Sequence, residues 1–193
     1  MSGAVILARH GEPALSRDIR LTANGYREWW ARYEQGGLKP DQTPPQGLVE
    51  MARSAGILLA STRERARQSA IAVADGRVFD CDPLFVEAPL PPPALPTWMR
   101  FSPKVWGGVS RFWWQVFDHH QGEESHAQAR QRAAAAATAL IARAENGEDV
   151  LLIAHGYFNY MIGRALSARG WRRTLNEGFR YWSARRFEKG ESP

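Results

Sequence analysis

Two short apolar runs, far apart in the chain, end in the same way. Ala4-Val-Ile-Leu-Ala8 stops at Arg9-His10-Gly11, and Val150-Leu-Leu-Ile-Ala154 stops at His155-Gly156. Unbroken apolar runs of this length, bounded by polar residues and glycine, predict strands buried on both faces. In a parallel sheet covered by helices, the carboxyl ends of neighbouring strands form the crevice in which such sheets bind ligands. Two histidines 145 residues apart in sequence are therefore expected to meet at one strand edge.

Between these runs the pattern turns helical. Thr22 is placed to cap a helix running through Gly25 to Tyr33, Gln46 to Leu59 reads as a second helix, and Glu64 to Ala74 as a third. Glu123 to Glu145, rich in Ala and Arg, is a strong helix on propensity and ends at Asn146-Gly147. Arg180 to Phe187 predicts a late strand. The alternation breaks at residues 88 to 118, where six prolines fall between Pro89 and Pro103 and Gly107-Gly108 follows. That stretch reads as an excursion over the surface, in the position of a lid.

Length and charge narrow the setting. A chain of 193 residues with 44% hydrophobic content supports one full core, so a single domain spanning 1–193 is expected. The single cysteine, Cys81, has no internal partner, and the first apolar run is too short for a signal peptide or a membrane span. A cytoplasmic location without membrane association is the corresponding expectation. The net charge of +5 is concentrated in residues 160 to 193, which carry eight Arg or Lys against three Glu. This gives a bias toward anions, but no nucleic-acid-binding motif accompanies it.

Candidate chemistry begins at Arg9-His10-Gly11-Glu12, where a permanent cation, an imidazole and a glycine share one turn. Glycine there permits close approach of backbone amides to an anion. Ser61-Thr-Arg-Glu-Arg65-Ala-Arg-Gln-Ser-Ala70 follows an apolar run and enters a helix, whose first amides favour anions. Arg63, Arg65 and Arg67 cannot all face inward, because residues two apart lie on different helix faces.

Together with Leu21-Thr-Ala-Asn-Gly25 and Ala154-His155-Gly156, these ordered motifs resemble the histidine phosphatase superfamily, which includes phosphoglycerate mutases and many bacterial phosphatases. The resemblance covers nearly the whole chain and implies a three-layer α/β/α fold with a mixed, mostly parallel sheet. It implies that His10 is a nucleophile forming a phosphohistidine, with Arg9, Arg65, His155, Gly11 and Gly156 around the phosphoryl group. Arg63 and Arg67 do not match the family pattern. An acid after the middle strand maps to Glu87, the candidate general acid. Glu12, Ser16 and Tyr157 are candidates for the substrate pocket, and Ser16 and the bulky Tyr157 depart from the pattern of the mutases.

The implied activity is a metal-independent phosphatase acting on a phosphorylated small molecule, or on a phosphoprotein, and needing no cofactor. The rival is a weakly catalytic phosphoryl-binding or interaction module on the same fold. Trp98, Phe101, Trp106, Phe112, Trp113, Trp114 and Phe117 are expected to pack the excursion onto the core, with a pocket wall as the alternative. His119, His120 and His126 lack the further ligands a metal site needs, so none is expected.

Overall fold

The computed structural model describes residues 2–190. One six-stranded sheet has the order β3-β2-β4-β1-β6-β5. Strand β1 (Val5–Arg9) lies parallel to β4 (Val150–Ala154), which lies parallel to β2 (Ile57–Ser61), and β3 (Asp80–Asp82) continues the parallel half. On the other side β6 (Ala184–Lys189) runs antiparallel to β1, and β5 (Trp171–Asn176) antiparallel to β6. The expected mixed, mostly parallel sheet is present.

Strand periodicity divides the two faces. Val5, Leu7, Val150, Leu152 and Ala154 join one core with α5 (His126–Ala144) and α6 (Gly156–Ser167). Ile6, Ala8, Leu151 and Ile153 join the opposite core with α2 (Gln46–Ser54) and α3 (Glu64–Ala74). Because successive side chains of a strand point to opposite faces, both central strands must be apolar at every position, as their sequences are.

Several boundaries differ from the sequence reading. The helix begun at Gln46 ends at Ser54, and Ile57 to Ser61 forms a strand instead. A helix carries an amphipathic stripe, whereas Leu58-Leu-Ala60 is buried on both sides of the sheet. The excursion is extended only as far as its prolines dictate. Ser102 caps Val105 N–H, Pro103 occupies the first turn, and α4 (Pro103–Phe117) follows. Its Trp106, Ser110 and Trp114 recur at a four-residue spacing and are buried, a helical period that the prolines and Gly107-Gly108 mask. The Ala-rich helix α5 starts at His126 behind a Ser125/Gln128 capping box. Propensity is only half the reason for its alanines, because Ala129, Ala133, Ala136, Ala137 and Ala144 are all buried and let the helix approach the sheet closely. The strand begun at Arg180 starts at Ala184, since Trp182 has the left-handed φ of 62°.

A smaller aromatic core fixes α1 (Ala23–Gln35) to α4. Tyr26 stacks between Trp29 and Trp106, with ring centroids 5.8 Å apart in both pairs, and Trp29 stacks on Tyr33 at 4.9 Å. Trp29 Nε1 donates to Ser16 O at 3.0 Å and Trp106 Nε1 to Leu21 O at 2.7 Å, so both indoles are satisfied. The packing role expected for the excursion aromatics holds for Trp106 and Trp114, while Trp98, Phe112 and Phe117 are exposed. Among the described residues, no helix is long and apolar enough to cross a membrane.

Replacing Trp106 with Ala removes a fully buried indole and its hydrogen bond, and is expected to cost about 3–5 kcal/mol. Equilibrium urea unfolding measures this; a loss below about 1 kcal/mol would show that α4 is not anchored as described.

Candidate active site

The register Arg9 to Ala154 between β1 and β4 places the next residues of both strands side by side. His10 and His155 meet edge to face, with ring centroids 5.2 Å apart. Both are buried, and both are contacted by Arg65, delivered by the first turn of α3 and itself 0% exposed.

Arg65 organises the centre. Its Nε points to His10 Nε2 at 3.4 Å and Nη2 to His155 Nδ1 at 3.3 Å. Nη1 donates to Tyr33 O at 2.8 Å, and Nη2 also pairs with Glu34 Oε1 at 2.7 Å. Glu34 Oε2 pairs with Arg63 at 2.7 Å, which explains why Arg63 lies close to the site without facing it. Arg67 is a surface charge paired with Glu64.

These contacts assign the imidazole tautomers. Gly11 O, 2.7 Å from His10 Nδ1, can only accept, so Nδ1 carries the proton and Nε2 presents a lone pair. Arg65 can only donate, so His155 accepts at Nδ1 and donates from Nε2 to Ser61 Oγ at 2.9 Å. Burial drives both histidines well below the usual pKa, and the Arg65 charge adds to the effect; Arg9 contributes further at His10. His10 is thus a neutral imidazole whose unprotonated Nε2 meets only the long contact from Arg65.

A cavity of about 200 Å³ opens in front of His10. Arg9, Arg65, Glu87, Gly156 and Tyr157 line it, as do Arg17, Arg111, Trp30, Tyr33 and Phe179. The sequence-predicted centre is thereby gathered, with three differences. His155 stands behind Arg65 with both nitrogens engaged, in a position to orient the centre rather than to face the cavity. Gly11 donates its N–H to Ser69 Oγ at 2.9 Å, so that amide does not serve an anion. What requires glycine there is Trp182, whose ring carbon would lie 2.3 Å from an added Cβ. Glu12 and Ser16 lie outside the lining: Glu12 pairs with Lys39 at 3.9 Å on the surface, and Ser16 shapes the following turn through Asp18 N–H at 3.1 Å. Gly156 makes room for Arg9, whose Nε would lie 3.2 Å from a Cβ at that position.

Glu87 follows a 3-10 turn at Pro83–Phe85 and reaches the N-terminus of α6. Its Oε1 accepts from Phe158 N–H and Ala88 N–H, each at 3.0 Å, while Oε2 has a single long contact of 3.4 Å to Tyr157 N–H. Oε1 is anchored by two amides, Oε2 is held only loosely, and Glu87 lines the cavity.

Sequence reasoning missed Arg17, Arg111 and Glu34. Arg17 lies one residue past the expected Ser16, and a second cation beside the first motif was its only signal. Arg111 and Glu34 sit on helices and have no local motif; their roles come from contacts with residues distant in the chain. The alternative role of the excursion aromatics, a pocket wall, does not hold for this cavity, whose aromatic lining is Trp30, Tyr33, Tyr157 and Phe179. His119 contacts Pro92 O at 3.2 Å and His126 packs on Trp114, and no group of three or more potential metal ligands occurs among the described residues.

Residues 5–188 match the sequence profile of a family described as the histidine phosphatase superfamily (branch 1). No curated protein matches the chain. Among solved structures, the product of open reading frame Rv3214 from Mycobacterium tuberculosis superposes with a TM-score of 0.54 at 20% identity, over 93% of this chain and 95% of that one. A phosphoserine phosphatase from Entamoeba histolytica gives 0.56 at 18% identity, over 86% and 80%. A mycobacterial glucosyl-3-phosphoglycerate phosphatase gives 0.53 at 17% identity, over 86% and 79%. At these identities the likeness is one of fold.

Two outcomes follow from the buried centre. Glu34→Gln leaves Arg65 buried without its counter-charge and is expected to destabilise the fold by about 3–5 kcal/mol, read from denaturant midpoints. The second concerns pH. Since the folded histidines hold their protons less tightly than the unfolded ones, stability is full above the unfolded value near 6.5 and falls as pH drops below it toward the folded values. Unfolding curves at pH 7.5 and 5.5 that coincide would refute this.

Proposed function

Because the chain belongs to the histidine phosphatase superfamily, we propose that it is a phosphatase that hydrolyses phosphate monoesters without a metal ion, through a phosphohistidine on His10. The observation that carries this reading is a neutral, buried His10 with its Nε2 lone pair at the floor of an arginine-lined cavity. The phosphatases of similar fold, one named for phosphoserine and one for glucosyl-3-phosphoglycerate, support small phosphate esters as the substrate class.

In the first step His10 Nε2 attacks phosphorus in line. The ester oxygen leaves with the bonding electron pair and takes a proton from Glu87 Oε2. In the second, water attacks the phosphohistidine, Glu87 accepts its proton, and inorganic phosphate departs from the restored imidazole. Splitting the transfer in this way replaces one difficult displacement by two easier ones. The 3.4 Å contact from Arg65 to Nε2 is long for a hydrogen bond and gives way as phosphorus approaches.

Arg9 and Arg17 supply charge to the phosphoryl oxygens. Each has a buried Nε without a hydrogen-bond partner, and the two guanidinium carbons lie 4.3 Å and 5.9 Å from the centroid of the Tyr181 ring. Backed by an aromatic face, each guanidinium is held at the cavity wall, so little reorganisation is needed when charge develops in the transition state. His155 serves as a positioning residue, holding Arg65 against His10.

Hydrolysis of p-nitrophenyl phosphate in EDTA is expected to persist in the wild type and to vanish in His10→Ala. Arg17→Ala is expected to lower kcat/KM by roughly 10² to 10³. Activity that survives unchanged in His10→Ala would sink the mechanism.

A further inference from the structure

One cation in the cavity has no task in the reaction just described. Arg111 projects from α4, 3.7 Å from the centroid of the Tyr157 ring and 5.0 Å from that of Trp114. Its Nη1 is buried without a hydrogen-bond partner. Arg111 is half-buried, but a desolvated Nη1 with an unmade hydrogen bond is costly, and the two aromatic faces favour keeping it there.

Arg111 also stands apart from the other arginines. Arg111 packs on the Tyr157 ring, and the backbone N–H of Tyr157 is the 3.4 Å contact of Glu87 Oε2, whereas Arg65 is the arginine that reaches His10. Yet His10, Glu87 and Arg111 line the same cavity. Arg111 therefore lies at the Glu87 end, where the ester oxygen and the rest of the leaving group must be. Glu87 does not neutralise it by contact: its Oε1 is committed to Phe158 N–H and Ala88 N–H, and no ion pair joins the two side chains. Once Glu87 is protonated for its role as acid, even its distant charge is gone. Burial already pushes the Arg111 pKa below its ordinary value.

Resting on the phosphatase reading for the direction of the leaving group, we propose that Arg111 binds a second anionic group of the substrate. The preferred substrates are then phosphate monoesters whose alcohol portion carries another oxyanion, either a carboxylate or a second phosphoryl group. Before the proton moves, Glu87 is neutral and the second anion of the substrate balances Arg111. After transfer, the Glu87 carboxylate competes with the product for the same cation and favours its release.

Three unreactive probes test this by titration calorimetry: ethylphosphonate with one anionic group, phosphonoacetate with an added carboxylate, and methylenediphosphonate with a second phosphoryl group. A hydrogen-bonded charge contact corresponds to roughly ten- to a hundredfold in affinity. Wild type is expected to bind phosphonoacetate, methylenediphosphonate or both at least about tenfold more tightly than ethylphosphonate, and whichever probe gains identifies the second anion. In Arg111→Gln the preference should fall to about twofold or less. Arg111→Lys, which keeps the charge on a shorter and less directional head, should give an intermediate ratio and serves if the Gln variant does not fold. Equal affinities in the wild type, absence of binding by all three, or a preference unchanged in both variants would overturn the proposal. The preference should persist in His10→Ala. If it does while the wild type hydrolyses neither p-nitrophenyl phosphate nor monoesters that carry a second anion, such as 2-phosphoglycolate, the Arg111 assignment stands and the phosphatase reading falls.

Discussion

Everything at the centre of this protein is arranged around one buried guanidinium. Arg65 reaches both histidines, the backbone at the end of α1 and the carboxylate of Glu34. Placing a permanent cation where no water reaches is tolerable only if its donors are met and its charge is answered. That requirement ties α3, α1 and the ends of β1 and β4 into one geometry. It also explains the state of the histidines, which cannot readily take protons in a buried site already holding this charge. The proposed nucleophile, His10, is kept neutral with the help of the same residue that ties the centre together.

The remaining arginines follow a common design. Arg9 lies over Tyr181, Arg17 near Tyr33 and Tyr181, Arg65 over Tyr33, and Arg111 over Tyr157. An aromatic face stabilises a guanidinium without using its N–H groups, and Arg9 Nε, Arg17 Nε and Arg111 Nη1 are left without a partner, although Arg9 also donates to Phe179 O and Arg17 to Tyr33 OH. Ion pairing would hold these side chains equally well but would cancel the charge that the proposed phosphoryl substrate would need. Only Arg65, furthest from solvent, is answered by a carboxylate. The cavity thus combines a fixed framework with unspent donors, and its unpartnered Nε and Nη atoms are the cost in stability of being ready for an anion.

That cost is offset away from the chemistry. The aromatic stack of Tyr26, Trp29, Tyr33 and Trp106 joins α1 to α4, the two helices that carry Glu34 and Arg111. Tyr33 belongs to both systems: one face of its surroundings is the stack, the other is the cation of Arg65. Apolar packing therefore holds the charged wall in place, and α4 acts as a structural element of the site rather than as a loose cover.

The sequence determined the parts governed by short-range pattern. Alternation of apolar runs and helical segments announced the mostly parallel sheet, because strands buried on both faces must be apolar throughout. The Arg9-His10-Gly11 and His155-Gly156 endings announced the meeting of two histidines, because parallel neighbours end on the same edge. Arg65 and Glu87 were legible through family resemblance, which encodes contacts that spacing does not. Tertiary structure alone decided the rest. It turned the second half of the proline excursion into α4, whose burial period is hidden by helix-weakening residues. It gave Gly11 to the ring of Trp182 instead of to a ligand, and it set His155 behind Arg65. Glu34, Arg17 and Arg111 gained their roles from residues on other elements, and no local pattern records such contacts. Charge compensation and aromatic backing are properties of neighbours in space, so they become visible only once the chain is folded.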